Sequence, residues 1–364
     1  MKIVFLSYYS GQIDRGVETL VDNLATNLSQ RHEVTVYQAG KKKPQKPYQQ
    51  IIINQTFPKK NTNPISIIRK LFLDSHSLAV ARFTLKASKY LKNQKPDIII
   101  PTNGGWQVFH TANLRPKIGT KIVVSGQAGL GWDERWNLKQ KPDLYIAPSS
   151  RNAKWVQTIA PKQHLKTIPN GVDCQKFKSK KLNRTQVFSH LKIKLTDIKA
   201  PIVLCVAAHE NYKRVEETIQ AVSQTTNLNL IVVGGSSQTH RLGEKLLPGR
   251  FQQLKLSHEQ MPQIYQVADL FTLVSDSTEA FGISYLEAMA TNLPVVATDD
   301  ELRRELVDGA GLFVKDPTDS KDYAAIIQFA LNTNWSDKPR NQAKKFDWIW
   351  ITSEYEKAMN TLVK

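Results

Sequence analysis

Two carboxylates, Glu279 and Glu287, stand eight positions apart in "TEAFGISYLEAMATNLPVVAT" (278–298), a stretch otherwise rich in apolar and small residues. A helix interior rarely carries an acid on its buried side without a partner. The stretch closes a strand-to-helix crossover that begins at "DLFTLVSDSTEAFG", with Phe281, Gly282 and Ile283 forming the first helical turn. The unpaired N–H groups and positive dipole end of such a turn make an anion site. Gly282 would let a ligand approach the backbone closely. Glu279 comes just before the turn and Glu287 lies within the helix. Eight helical residues rise roughly 12 Å, too far for two acids to share a metal or a proton. That length suits one extended ligand: a hydroxylated group at Glu279, phosphates at the helix start and ribose hydroxyls at Glu287. The alternative is a solvated loop acid at 279 and a capped or paired core acid at 287, and spacing does not choose between them.

The elements that must position these residues alternate strand and helix along the whole chain. "KIVFLSYY", "HEVTVYQA", "QIIIN", "PDIIIPTN", "TKIVVSG" and "PDLYIAPS" read as strands. Between them lie "GVETLVDNLATNLSQR", with Val17, Leu20, Val21, Leu24 and Leu28 on one stripe, and one long helical stretch near Ile65–Leu91. The same grammar restarts at "PIVLCVAA" and runs through "LNLIVVGG", "RFQQLKL", "DLFTLVS", "PVVAT" and "AGLFVKD". Continuous apolar strands separated by helices imply parallel sheets covered on both faces. The Pro, Asn-Gly and lysine run of "TIPNGVDCQKFKSKKLNRT" marks a linker. The chain divides near Ile168: one domain over 1–167, completed by a C-terminal helix at 346–364, and a second over 168–345. That final helix, with Trp348, Ile349 and Ile351, is too apolar to stay in water and is expected to pack back across the junction. In such sheets ligands bind beyond the carboxyl ends of the strands.

Bulk properties narrow the classes. A chain of 364 residues suggests two domains. Hydrophobic content of 41% and charged content of 23% fit a globular protein. No apolar run approaches the ~20 residues of a membrane span. "MKIVFLSYYSG" reads as a first strand, since a signal peptide needs a longer apolar run and a small-residue cleavage site. Cys174 and Cys205 have no metal-like spacing and fit a reducing cytosol. The net charge of +18 is uneven: residues 59–95 carry nine Lys/Arg against Asp74 alone, whereas 251–330 carry five basic and thirteen acidic residues. A basic first half reads as a solvated face, an anionic membrane surface or a nucleic-acid surface.

The sequence resembles glycosyltransferase family 4, the retaining, nucleotide-sugar-dependent enzymes of the GT-B fold. The resemblance spans nearly the whole chain, through "RGVETLVDNLATNL", "TIPNGVD", "KRVEETIQAV" and above all "EAFGISYLEAMATNLPVVAT". It implies an α/β GT-B architecture: two doubly wound, Rossmann-like domains facing a cleft, acceptor on the first and nucleotide sugar on the second. It assigns Glu279 to the donor sugar, Glu287 to the ribose, and the backbone around Phe281, Gly282 and Ile283 to the diphosphate. The family's phosphate-binding Lys matches Lys213. The Arg five positions before it is Ala208 here, and Arg214 or His209 would have to substitute, although losing a planar fork is not a conservative change. The glycine-rich N-terminal loop matches "GQIDRGVE", with Gly16 at a helix start and Arg15 in place of a first glycine. Where many relatives carry a His near the reacting centre, this chain has Gln127, which can hydrogen-bond a sugar hydroxyl but cannot act as a base. His110 is an alternative polar group there.

The implied reaction is transfer of a sugar from a UDP- or GDP-sugar to a glycan or lipid-linked acceptor, in cell-envelope polysaccharide or glycolipid synthesis. No cofactor is needed beyond the donor. No Asp-x-Asp of metal-dependent transferases occurs, so a metal-independent clamp is expected. The expected location is cytoplasmic, with peripheral docking on an anionic membrane face. A nucleotide-sugar epimerase or hydrolase of the same fold is the near rival. A basic nucleic-acid-binding protein is the distant one, without a recognisable module. The Gly-x-Gly-x-x-Gly of dinucleotide enzymes and the P-loop are both absent.

Overall fold

The computed structural model describes residues 1–13, 16–58, 66–208 and 210–363. Arg15, Ile65 and His209, singled out above, lie outside them. The chain divides into two compact units, Met1–Asn170 with Trp348–Lys364, and Gly171–Asp347.

The first unit is built on a parallel sheet of β1 (Lys2–Leu6), β2 (Glu33–Gln38), β3 (Gln49–Ile52), β4 (Ile98–Pro101), β5 (Lys121–Ser125), β6 (Leu144–Ala147) and β7 (Leu165–Thr167). Their spatial order is β3-β2-β1-β4-β5-β6-β7. Strand interiors such as Val4, Phe5, Ile99 and Ile100 are wholly buried, as a sheet covered on both faces requires. The edge strand β7 escapes a reading by apolar run, because Lys166 and Thr167 face water. The single long helix expected near Ile65–Leu91 is two, Ser66–Lys70 and Ser75–Gln94. Phe72 between them takes a left-handed φ of 55°. Asp74 then starts the second helix, its carboxylate accepting from the N–H groups of His76 and Ser77.

The last helix, Trp348–Asn360, packs on the helix Gly16–Leu28 in this first unit. Trp348, Ile351, Tyr355 and Met359 enter the core beside Leu24 and Leu28. Each such large apolar side chain contributes about 1.5–3 kcal/mol relative to exposure. Ile349 is a correction: it is 72% exposed, one step out of phase with the buried stripe.

The second unit carries β8 (Ile202–Ala207), β9 (Asn229–Gly234), β10 (Phe251–Leu254), β11 (Leu270–Leu273), β12 (Val295–Thr298) and β13 (Gly311–Val314). All pair in parallel, in the order β10-β9-β8-β11-β12-β13. The chain runs outward from β8 in one direction and from β11 in the other. The β8/β11 boundary is therefore a topological switch point, where loops diverge and leave a crevice. The expected boundary near Ile168 moves three residues on. Ile168 is buried in the first unit's core and donates to the Ala147 carbonyl, whereas Val172 bridges to Asp347 in the second.

Candidate functional site

The loops leaving β8 and β11 hold the residues that the sequence singled out. After β8 the chain makes one 3₁₀ turn, Asn211–Lys213, and Arg214 then opens the helix Val215–Ser223. The Asp276 N–H donates to the Tyr212 carbonyl (2.8 Å), tying the two loops together. Lys213 Nζ meets the Glu279 carboxylate in a short ion pair, with the two side chains only 12% and 7% exposed. A cation and an acid 66 positions apart in sequence are thus held at one point.

The segment leading to Glu279 is held by Arg303, which the sequence reading missed. This residue is fully buried on the helix Glu301–Val307. Its guanidinium donates to the Ser275 carbonyl (2.8 Å), the Ser275 hydroxyl (2.7 Å) and the Asp276 carbonyl (2.8 Å), and pairs with Asp300 (2.5 Å). Three loop acceptors are satisfied by one planar fork, which holds the segment leading to Glu279. The signal for it is its phase, since Arg303 falls on the buried stripe with Leu302, Leu306 and Val307.

The helix after the loop is Ile283–Ala290, and Gly282 is its cap at φ 91° rather than part of its first turn. A Cβ at Gly282 would lie 2.6 Å from the Tyr285 ring, so the position is closed to side chains on two counts. Tyr285, wholly buried, donates to the Leu273 carbonyl (2.6 Å) and pins the helix to the end of β11. The Phe281 side chain is 4% exposed and belongs to the core, so only its backbone can serve a ligand. Ile283 and Ser284, as the first helical residues, present N–H groups that no helical carbonyl reaches. Because the segment before Ile283 is not helical, the continuous rise assumed between Glu279 and Glu287 does not exist. Glu287 lies one turn into the helix, 8% exposed, and its carboxylate accepts from the buried Tyr265 hydroxyl at 2.8 Å. His258 Nε2 lies 3.8 Å from its other oxygen. Burial, reinforced by the Glu287 charge, holds the Tyr265 phenol well above its usual value, so it remains a donor.

Ala208 is exposed and leaves open a recess of about 300 Å³ shared with Arg214, Gly235 and Ser236. Arg214 adopts φ 50°, ψ 46°, the left-handed region that non-glycine residues seldom enter.

In the first unit, Gly16 is the exposed first residue of the helix Gly16–Leu28. Gln127 exchanges two amide hydrogen bonds with Asn170, at 3.0 and 2.9 Å, and donates a third to Ser125 Oγ. Both its N–H groups are occupied, leaving one lone pair on Oε1. Ser125 Oγ in turn meets the Tyr355 hydroxyl at 2.9 Å. His110 stacks on Trp106, with 5.8 Å between ring centroids, and burial lowers its pKa, as for a structural histidine. The structure thus brings together Lys213, Glu279, Gly282, Ile283 and Glu287 in the second unit. Gln127 and Gly16 belong to the first.

Comparison with known proteins decides the family. Two family models match, Glycosyltransferase Family 4 over residues 15–176 and Glycosyl transferases group 1 over residues 189–346, and between them they take up most of the chain. The chain belongs to glycosyltransferase family 4. Among curated relatives of this family-4 chain is the lipopolysaccharide core biosynthesis mannosyltransferase LpsB of Rhizobium meliloti, 28% identical over 66% of this chain and 69% of that protein. Among solved structures, sucrose-phosphate synthase from Thermosynechococcus elongatus superposes with a TM-score of 0.79 at 19% identity, covering 99% of this chain and 98% of that one. Anabaena HepE, solved with UDP and glucose, gives a TM-score of 0.77 at 18% identity over 99% of both chains. The family-4 chain therefore shares the GT-B fold, and its class of reaction is glycosyl transfer.

Proposed function

We propose that the protein is a retaining, metal-independent transferase that moves a sugar from a UDP- or GDP-sugar to a glycan or lipid-linked acceptor of the cell envelope. The observation that carries this reading is the Lys213–Glu279 pair beside the Gly282-capped helix start, with Glu287 one turn further on. The LpsB relative is a lipopolysaccharide core mannosyltransferase and an O-antigen chain mannosyltransferase of Escherichia coli is 35% identical over 26% of the chain, which supports an envelope acceptor.

In this reading Glu287 accepts hydrogen bonds from the ribose hydroxyls, with Tyr265 holding its carboxylate in place. The diphosphate sits at the N–H groups of Ile283 and Ser284, where the helix dipole favours negative charge. Lys213 turns from Glu279 toward the phosphates, and the Glu279 carboxylate accepts from a hydroxyl of the donor sugar in its place. Arg214 supplies the guanidinium that Ala208 lacks. The anomeric carbon–phosphate bond breaks and an acceptor hydroxyl bonds to the same face. The acceptor's proton passes to the departing diphosphate oxygen. The enzyme's share is placement and charge neutralisation, which pre-positioned groups supply most effectively. Gln127 orients a sugar hydroxyl through its remaining Oε1 lone pair, and Gly16 keeps the first loop slim where the phosphates approach.

Peripheral membrane docking belongs to the same reading. The helix Ser75–Gln94 buries Val80, Phe83 and Leu91 against its own sheet, so its apolar stripe is not the membrane contact. Its opposite face exposes Arg82, Leu85, Lys89 and Lys92, and Leu71 and Leu73 are exposed just before it. Each such cation near an anionic leaflet contributes about 1 kcal/mol. No helix among the described residues is long and apolar enough to cross a membrane.

A donor screen tests the reading. UDP- and GDP-sugars are incubated with chelator present and free nucleotide is followed. Release from at least one donor, with the anomeric configuration kept in the product, is expected. Release that depends on added divalent metal, or an inverted product, would overturn the metal-independent or retaining assignment.

A further inference from the structure

A cavity of about 490 Å³ opens in the first unit beyond the carboxyl ends of β1, β4 and β5. That is the switch point of the seven-stranded sheet, and the volume lies within the ~300–1,000 Å³ of small-ligand pockets. Three features of its wall point to one kind of ligand.

The first is Asp133, in the first turn of the helix Trp132–Lys139. It lines the cavity, is partly buried, and makes no hydrogen bond or ion pair among the described residues. Burial raises its pKa; Arg69 acts against that and Asp74 adds to it. The second is Asn137, one turn on and 6% exposed. Its Nδ2 donates to Glu134, while its Oδ1 is buried without a partner. A buried carbonyl oxygen left unpaired is costly, and a ligand hydroxyl would satisfy it. The third is the Trp106 ring, held by a hydrogen bond from Nε1 to the Phe72 carbonyl (2.7 Å). An aromatic surface of this kind suits the C–H face of a pyranose. Other wall groups are already committed: Asp74 caps its helix, and Glu134 accepts from Tyr145, Asn137 and the Ala128 N–H. Arg69, itself exposed, is the one described lining residue with a fixed positive charge.

We propose that this cavity binds the acceptor as a neutral, polyhydroxylated sugar ring, with Asp133 and Asn137 Oδ1 accepting from its hydroxyls, and that Asp133 rejects acceptors phosphorylated or carboxylated at that position. The proposal rests on the transferase reading above and narrows it to a substrate class. Unpaired acceptors on the wall call for a ligand rich in O–H donors. A phosphate or carboxylate beside Asp133 would meet like charge, and a like-charge contact is how a site excludes a wrong partner.

The test uses the full chain and paired probes: octyl gluco-, galacto- and mannopyranosides and their 6-phosphates, with binding followed by calorimetry and saturation-transfer NMR. At least one neutral glycoside should bind, and its 6-phosphate at least tenfold more weakly. Asp133→Asn should weaken the neutral ligand or cut the discrimination several-fold, and Asp133→Lys should invert the preference. UDP and GDP affinity should be unchanged in both variants, which also shows that they are folded. Phosphates binding as well as neutral glycosides, no binding of any neutral glycoside, or a ratio indifferent to both substitutions would each overturn the proposal. If neither UDP nor GDP binds the wild type, the donor reading fails on its own, and the cavity is still judged by the glycoside arm.

Discussion

Lys213 and Glu279 neutralise each other at the end of the β8 and β11 loops, almost out of contact with water. Removing one partner of a shielded pair leaves an uncompensated charge, which is more damaging than removing both. Lys213→Ala is expected to lower turnover by ~10²-fold or more, as when a pre-placed cation is taken from a leaving group. Glu279→Ala should weaken the intact donor more than the bare diphosphate. In thermal melts the double variant should be less destabilised than the two single losses added together. Additive losses would mean that the pair is not coupled, and near-normal turnover without Lys213 would move its role to Arg214 or the helix start.

Glu287 gives a second, separable prediction. Glu287→Ala should weaken UDP or GDP by about 1–3 kcal/mol, through lost hydrogen bonds to the ribose. Tyr265→Phe removes the hydroxyl that holds the carboxylate and should cost about 1 kcal/mol by the same measure. Titration calorimetry reads both, and unchanged nucleotide affinity in a folded Glu287→Ala protein removes this residue from the site.

At Gly282 backbone and space agree. Gly282→Ala puts a Cβ 2.6 Å from the Tyr285 ring at φ 91°. Left-handed backbone alone costs an L-residue about 1–2 kcal/mol. Both stability and donor affinity should fall, whereas Gly309→Ala, also left-handed at φ 78° but with no atom within 4 Å of the new Cβ, should cost only the backbone part. Equal losses at the two positions would contradict a steric role for Tyr285.

The C-terminal helix should loosen in acid. Burial tends to raise the Glu356 pKa, but hydrogen bonds and charge from Arg31 and His32 hold it below its usual 4.5. A carboxylate depressed in the folded state stabilises the protein above its unfolded value. That contribution is lost as pH falls from about 4.5 through the depressed folded value. Denaturant midpoints measured at neutral pH and below 4.5 should therefore converge between wild type and Glu356→Gln as acid is added. A constant gap across that range would show that Glu356 does not titrate with folding.

Vesicle co-sedimentation examines the basic face. Binding to anionic but not neutral vesicles, weakening with salt, is expected, and charge reversal at Arg82, Lys89 and Lys92 should abolish it. Equal binding to both vesicle types, or none at low salt, would point to an acceptor met away from the bilayer.

The sequence by itself determined the alternation of strands and helices, the two-unit plan and the Glu-x7-Glu block with its glycine at a helix start. These follow from contacts between near neighbours: apolar runs at strand and helix spacing, and a glycine where the chain turns. It misjudged the segment around Phe72, where Asp74 starts a new helix inside an unbroken apolar pattern, and it passed over β7, whose outer residues look like loop. Only the tertiary structure decided that Lys213 meets Glu279 rather than solvent, that Tyr265 holds Glu287, and that Arg303 braces the segment leading to Glu279. It alone showed that Gln127 is clamped by Asn170, 43 positions away, and that Asp133 and Asn137 Oδ1 stand in a cavity wall without a hydrogen bond among the described residues. The physical reason is the same throughout. A polar group's partner is chosen by which loops the sheet order brings side by side, and hydrogen bonds act over about 3 Å of space, whatever the separation along the chain.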